Sequence, residues 1–222
     1  MSWAGFIGIF VLFFATHSIP VRPAIKSRIV GRIGPRRFAM GYSVLSLVML
    51  ALLIQAARMA PYIGLWPQSD WQRHVAQSGM LIVCLILAFA IGRPNPFSFG
   101  GVHNETFEPA RAGIIRLLRH PMLAALALWA FLHMLPNGDL AHVLMFGVLG
   151  SFALGGRRLI NHRRKTEMGP AEWERLNAAV ARVSVPMRPV SWPGAAVRLA
   201  FGIALFAVLI VLHPVVIGVP AL

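Results

Sequence analysis

The chain has 222 residues, of which 57% are hydrophobic and only 13% charged, and it carries a formal charge of +14. A soluble domain is nearer a quarter charged, and the apolar residues come in long blocks, which excludes an ordinary soluble core. The basic excess suits nucleic acid in the abstract, but Lys and Arg alternate with those blocks, as in loops gathered on one side of a membrane. That pattern argues against a nucleic-acid partner.

The expected fold is an all-α, polytopic membrane helix bundle of about six transmembrane helices, one transmembrane domain over residues 1–222. The first span, about 3–19, is almost wholly apolar and lacks both a basic leader and a small-residue cleavage site, so it reads as a retained helix. His17 falls near its end, followed by Pro20 and Pro23 and a basic loop. The second span is about 38–57. A connector with Tyr62, Trp66 and Trp71 has the residues of a headgroup-level aromatic belt. The third span, about 75–91, holds Cys84, the single cysteine; this excludes a disulfide framework or a Cys-rich metal site and reads as a buried, inert thiol.

Pro94, Pro96, Gly100 and Gly101 break the next connector. Its second half, 109–118, looks helical and is expected to run into the fourth span, giving a helix over about 113–135. Residues 121–135 alone are short against the roughly 20 needed to cross a bilayer. Pro136-Asn137-Gly138-Asp139 is a tight turn, with Asn137 and Asp139 as turn and cap residues. A fifth span at about 140–155 completes a helical hairpin. Residues 157–191 are the most polar stretch, with Trp173 and Leu176 giving an amphipathic face suited to a membrane surface and Pro186 and Pro189 ending it. The sixth span is about 195–219, interrupted late by His213-Pro214. The first, third and fifth connectors carry six, four and eight Lys and Arg; the second carries two and the fourth none. Six spans with both termini outside a bacterial plasma membrane fit this asymmetry.

Three histidines stand within or at the edge of apolar spans: His17, His120 and His133. Ionisable groups in lipid are costly and usually have a task. A lone histidine there is most simply a ring bonded to a neighbouring helix, but three shift the balance towards a metal-type cofactor, because neutral imidazole is a common metal and haem ligand. The spans hold no Asp or Glu, which favours haem over zinc or di-iron. Met122 and Met134 lie nearby and read as core. His120 and His133 are 13 residues apart, about 220° around a helix and roughly 20 Å along it, so they cannot face one neighbour. By depth in the six-span topology, His17 pairs more easily with His120 than with His133. His74, His103, His142 and His162 lie in or near connectors, and His213 is a minor candidate.

These residues also carry a resemblance. Thr16–Ser18 before a basic loop, Arg119-His120-Pro121, the Trp129, His133 and Asn137-Gly138 pattern, Gly156-Arg157-Arg158-Leu159, and His213-Pro214 occur in order across nearly the whole chain. The set resembles the NnrU family, membrane proteins named for nitrite and nitric oxide reductase regulation, and the related 15-cis-zeta-carotene isomerases. The isomerase branch implies haem b bound through histidines, carried over by position to His17 and His133. It carries Cys three residues before the second histidine, where this chain has Ala130. The expectation is a haem-b membrane protein with a redox, sensing or isomerase role, its partners the lipid bilayer and a hydrophobic small molecule or nitric oxide. The Arg-His-Pro, hairpin and Glu-rich segment are also similar to isoprenylcysteine methyltransferases, with Met122 replacing the usual aromatic; Arg119, His120, Arg157, Arg158, Glu167 and Glu174 would then serve S-adenosylmethionine. A third reading is a non-catalytic assembly factor.

Overall fold

The computed structural model describes residues 1–183 and 189–219; Pro186 lies outside them. Among these residues there are eight α-helices, three short 3₁₀ turns and no strand. The chain forms two compact units, one of Met1–Pro67 with Asn137–Met145, the other of Gln68–Pro136 with Phe146–Leu222.

In the first unit, α1 (Trp3–Ser18) starts where the Ser2 hydroxyl accepts from the Gly5 amide. Pro20 and Pro23 then force a 69° break before α2 (Pro23–Ile33). The stretch after His17 is therefore a basic helix rather than a loop: Pro23 supplies a first-turn residue with no amide hydrogen to satisfy, and Gly34, at φ 84°, ends the helix where a side chain would be strained. The long apolar helix α3 (Pro35–Met59) packs against both α1 and α2. Residues 63–66 meet the 138–140 turn through an antiparallel bridge, with the Gly138 carbonyl accepting from the Leu65 and Trp66 amides. Gly138 has to be glycine there, because a Cβ would collide with the Trp66 carbonyl.

In the second unit, α4 (Asp70–Ala90) packs on α5 (Pro121–Met134) and on α8 (Trp192–Val216). Small residues mark both seams: a Cβ on Gly79 would run into Leu132, and one on Gly202 would stand 2.8 Å from Leu85. In lipid, helices associate by such close packing, since the apolar effect offers nothing between them. Arg198 of α8 donates to the Ala88 and Ile91 carbonyls, 2.7 and 3.0 Å, and so closes the end of α4.

Residues 109–118 do not form a helix running into α5. They make 3₁₀ turns broken by Gly113 at φ 55°, and α5 begins only at Pro121. The helix starting at Leu140 does not stop at 155 either. α6 (Leu140–Met168) runs on through the basic residues, held late by Arg163 and Arg164 pairing with Glu167 one turn on, and ends at Gly169, φ 86°, before α7 (Pro170–Arg182). Four helices, α3, α4, α6 and α8, are long and apolar enough to cross a membrane, and the bent pair α1–α2 makes a fifth candidate; α5, at 14 residues, is shorter.

Candidate functional site

Helix α5 carries a histidine at each end, and the two ends are built differently. The N-terminal end is organised by the connector from α4. Asn95 ties it together: its amide donates to Asn104 Oδ1 (2.8 Å), its Oδ1 accepts from the Phe97 amide (3.1 Å), and its Nδ2 donates to the Arg119 carbonyl (3.0 Å). This buries Phe97 and Ser98 almost completely. Trp173 and Leu176 of α7, expected to lie on the membrane surface, instead close over Phe97, Ala112 and Ile115 as a small core. The reason is that the 3₁₀ turns present an apolar face which α7 covers.

Arg119 and His120 are held on this platform. The Arg119 guanidinium lies over the Phe97 and Trp173 rings, 5.5 and 5.6 Å from their centroids, and donates to Asn177 Oδ1. His120, 5% exposed, is bonded on both ring nitrogens: Nε2 donates to Asn161 Oδ1 (2.9 Å) and Nδ1 accepts from the Ser98 hydroxyl (3.0 Å). Burial holds its imidazole below the ordinary histidine value against the raising effect of the Asn161 bond, and the charges of Arg119 and Arg157 push it the same way as burial. The neutral ring is therefore the form built into the fold. Beside it lies an open cavity of about 690 Å³, lined on the polar side by Arg116, Arg119, Arg157, Arg158, Asn161 and Asn177. Four of the residues expected for S-adenosylmethionine thus meet in one place. Glu167 and Glu174 do not line the cavity; they pair with Arg163 and Arg164 and with Lys165.

At the other end of α5 the surroundings are apolar. His133 Nδ1 donates to the Trp129 carbonyl one turn back, 2.9 Å, which places the ring proton on Nδ1 and the lone pair on Nε2. The ring lies against Trp129 and Phe146, centroids 5.3 and 5.5 Å away. Ala130, where the isomerases carry cysteine, is fully buried. α6 runs antiparallel alongside: Leu123 and Ala127 pack with Ala153 and Ile160, and Phe131 seats on Gly150, so the hairpin expected from the short segments is present.

His17 belongs to the first unit. Its ring stacks on Phe13 (4.3 Å) and meets the edge of Tyr42 (5.9 Å), whose hydroxyl donates to the His17 carbonyl at 2.9 Å. Its Nδ1 is buried with no hydrogen-bond partner. The remaining histidines have ordinary surroundings: His142 pairs with Asp139, whose carboxylate also accepts from the His142 amide, and His213 donates to the Val219 carbonyl. Cys84 is fully buried. No group of three or more His, Cys, Asp and Glu able to hold a metal ion occurs among the described residues. Sequence reasoning missed Ser98, Asn161 and Asn177, which position the polar end. Asn161 had a signal, since it stands one helical turn after Arg157.

Apolar spans, a helical hairpin with a polar cavity at one end and a histidine against aromatic rings at the other define a multi-pass helical membrane protein. The chain belongs to the NnrU protein family, whose model matches residues 5–221. No curated protein and no solved structure matches it.

Proposed function

We propose that this NnrU-family protein binds haem b through histidine, with His133 and His17 each a candidate ligand. The observation carrying this reading is the buried Nδ1 of His17, taken from water without a well-formed hydrogen bond, the Phe13 backbone one turn back being its nearest polar neighbour. His133 supports it: donation of Nδ1–H to a backbone carbonyl is the arrangement that orients an imidazole for metal through Nε2, and Trp129 and Phe146 offer flat apolar walls of the kind a porphyrin packs against. His120 stands apart from this role, because ligation would break a bond to Ser98 or Asn161.

Bound haem would supply a one-electron, gas-binding iron. What the chain supplies at each of these histidines is an aromatic wall, Phe13 and Tyr42 at His17, Trp129 and Phe146 at His133. Ala130 puts a methyl group where the isomerases carry a thiol, which favours a redox or nitric oxide-sensing role linked to denitrification over isomerisation. The test is the visible spectrum of protein purified in mild detergent after haem-replete expression. A Soret band is expected in the parent, lost in His133→Ala and His17→Ala and kept in His120→Ala. A parent protein without that band overturns the reading.

A further inference from the structure

The cavity beside His120 is lined by neither His17 nor His133. Its polar wall holds four arginines and two asparagines and, among the described residues, no carboxylate. The contrast with neighbouring cations is sharp. Arg163, Arg164, Lys165 and Arg175, which do not line it, each pair with a glutamate, whereas Arg119, Arg157 and Arg158 have no ion-pair partner among the described residues. Glu167, Glu172 and Glu174 are therefore committed elsewhere, and the positive charge of Arg119, Arg157 and Arg158 is left without a carboxylate. Gathering like charge opposes compaction unless an anion enters. The Arg119 plane is held by two aromatic faces and an asparagine, so one guanidinium is fixed before any ligand arrives. The other wall is apolar: Ile115, Leu117, Leu154 and Val180, of which Leu117 is 73% and Leu154 39% exposed. A volume of about 690 Å³ suits a whole small molecule rather than a single ion.

We propose that this cavity binds a phosphate ester carried on an apolar chain. The phosphoryl oxygens take the guanidiniums of Arg119, Arg157 and Arg158, which match them in fork geometry, and the chain lies along Leu117 and Leu154. S-adenosylmethionine fits less well, because its sulfonium would face arginines with no carboxylate on the wall.

Native mass spectrometry of the detergent-purified full chain tests this, with dioleoyl phosphatidic acid and dioleoylglycerol as probes that differ only in the phosphate. The phosphatidic acid is expected to be retained about tenfold or more over the diacylglycerol, the discrimination that one charged hydrogen-bonded group supplies. Arg157→Gln with Arg158→Gln should lower its retention by a similar factor, and Arg163→Gln, outside the cavity, should leave it unchanged. Displacement by millimolar inorganic phosphate supports a soluble phosphate ester as the natural ligand; failure to displace supports a membrane lipid. Equal retention of the two probes, an equal loss in the Arg163→Gln control, or retention of S-adenosylmethionine in preference to phosphatidic acid overturns the proposal. The comparison of probes on the parent protein needs no variant to fold.

Discussion

His120 and His133 stand at opposite ends of α5, and comparing them shows how placement decides what an imidazole is for. His120 is enclosed and fully satisfied: one side-chain donor, one side-chain acceptor, and arginines around it. Its ring is structural glue joining the connector to α6. His133 has one nitrogen anchored to its own helix and its faces against aromatic rings. One residue type thus bridges two elements at the polar end and bonds back to its own helix among aromatic rings at the apolar end, the two set apart by about 20 Å of helix.

Substitutions break that comparison in a definite order. The largest effect is on cofactor: His133→Ala should abolish the Soret band while changing thermal stability little. If it instead lowers the unfolding midpoint while the folded protein keeps its Soret band, the role assigned to His133 is rejected. Next comes His120→Ala, which strands the Ser98 hydroxyl and the Asn161 amide; it should cost about 2 kcal/mol, read as a lower unfolding midpoint in detergent. Asn161→Ala removes one of those two bonds and should cost about 1 kcal/mol.

The pH dependence sharpens the same contrast. His120 titrates lower folded than unfolded, so the unfolded chain takes up its proton first as pH falls. The contribution is therefore full above the ordinary histidine value of about 6.5 and is lost as pH drops from there through the lower folded value. Unfolding midpoints measured down from neutral pH should fall in the parent and fall less in His120→Ala; an unchanged slope rejects the assignment. The smallest effect belongs to Arg163→Gln, whose pair with Glu167 is exposed and should contribute no more than about 0.5 kcal/mol to the same midpoint.

Much of the membrane architecture was legible in the residues, because an apolar run long enough to cross lipid has few other uses. α1, α3, α4 and α8 lie close to where hydropathy placed them. Helix α2 was hidden by its charge: a basic stretch between prolines looks like a loop, and only its Pro and Gly ends mark it as a helix. The stretch 109–118 misled in the opposite way, since its apolar spacing suits a helix while Gly113 takes a left-handed turn that spacing does not reveal. At the candidate site, Arg119 and His120 were visible as a motif. Their partners Asn161 and Asn177 were not, because hydrogen bonds spanning 41 and 58 residues have no periodicity to betray them. Trp173 showed its amphipathic helix but not what would cover it.

The length of α6 has its own consequence. Its 29 residues extend about 43 Å, against a hydrocarbon layer of about 30 Å. If roughly its first 20 residues fill that layer, Arg157 and Arg158 reach its edge and the last two or three turns stand clear of the acyl chains among the glycerol and phosphate groups. Asn161 and the arginines before it then work at a boundary where water, ions and lipid headgroups all have access, and a molecule with one wet end and one oily end can enter without wholly leaving either phase.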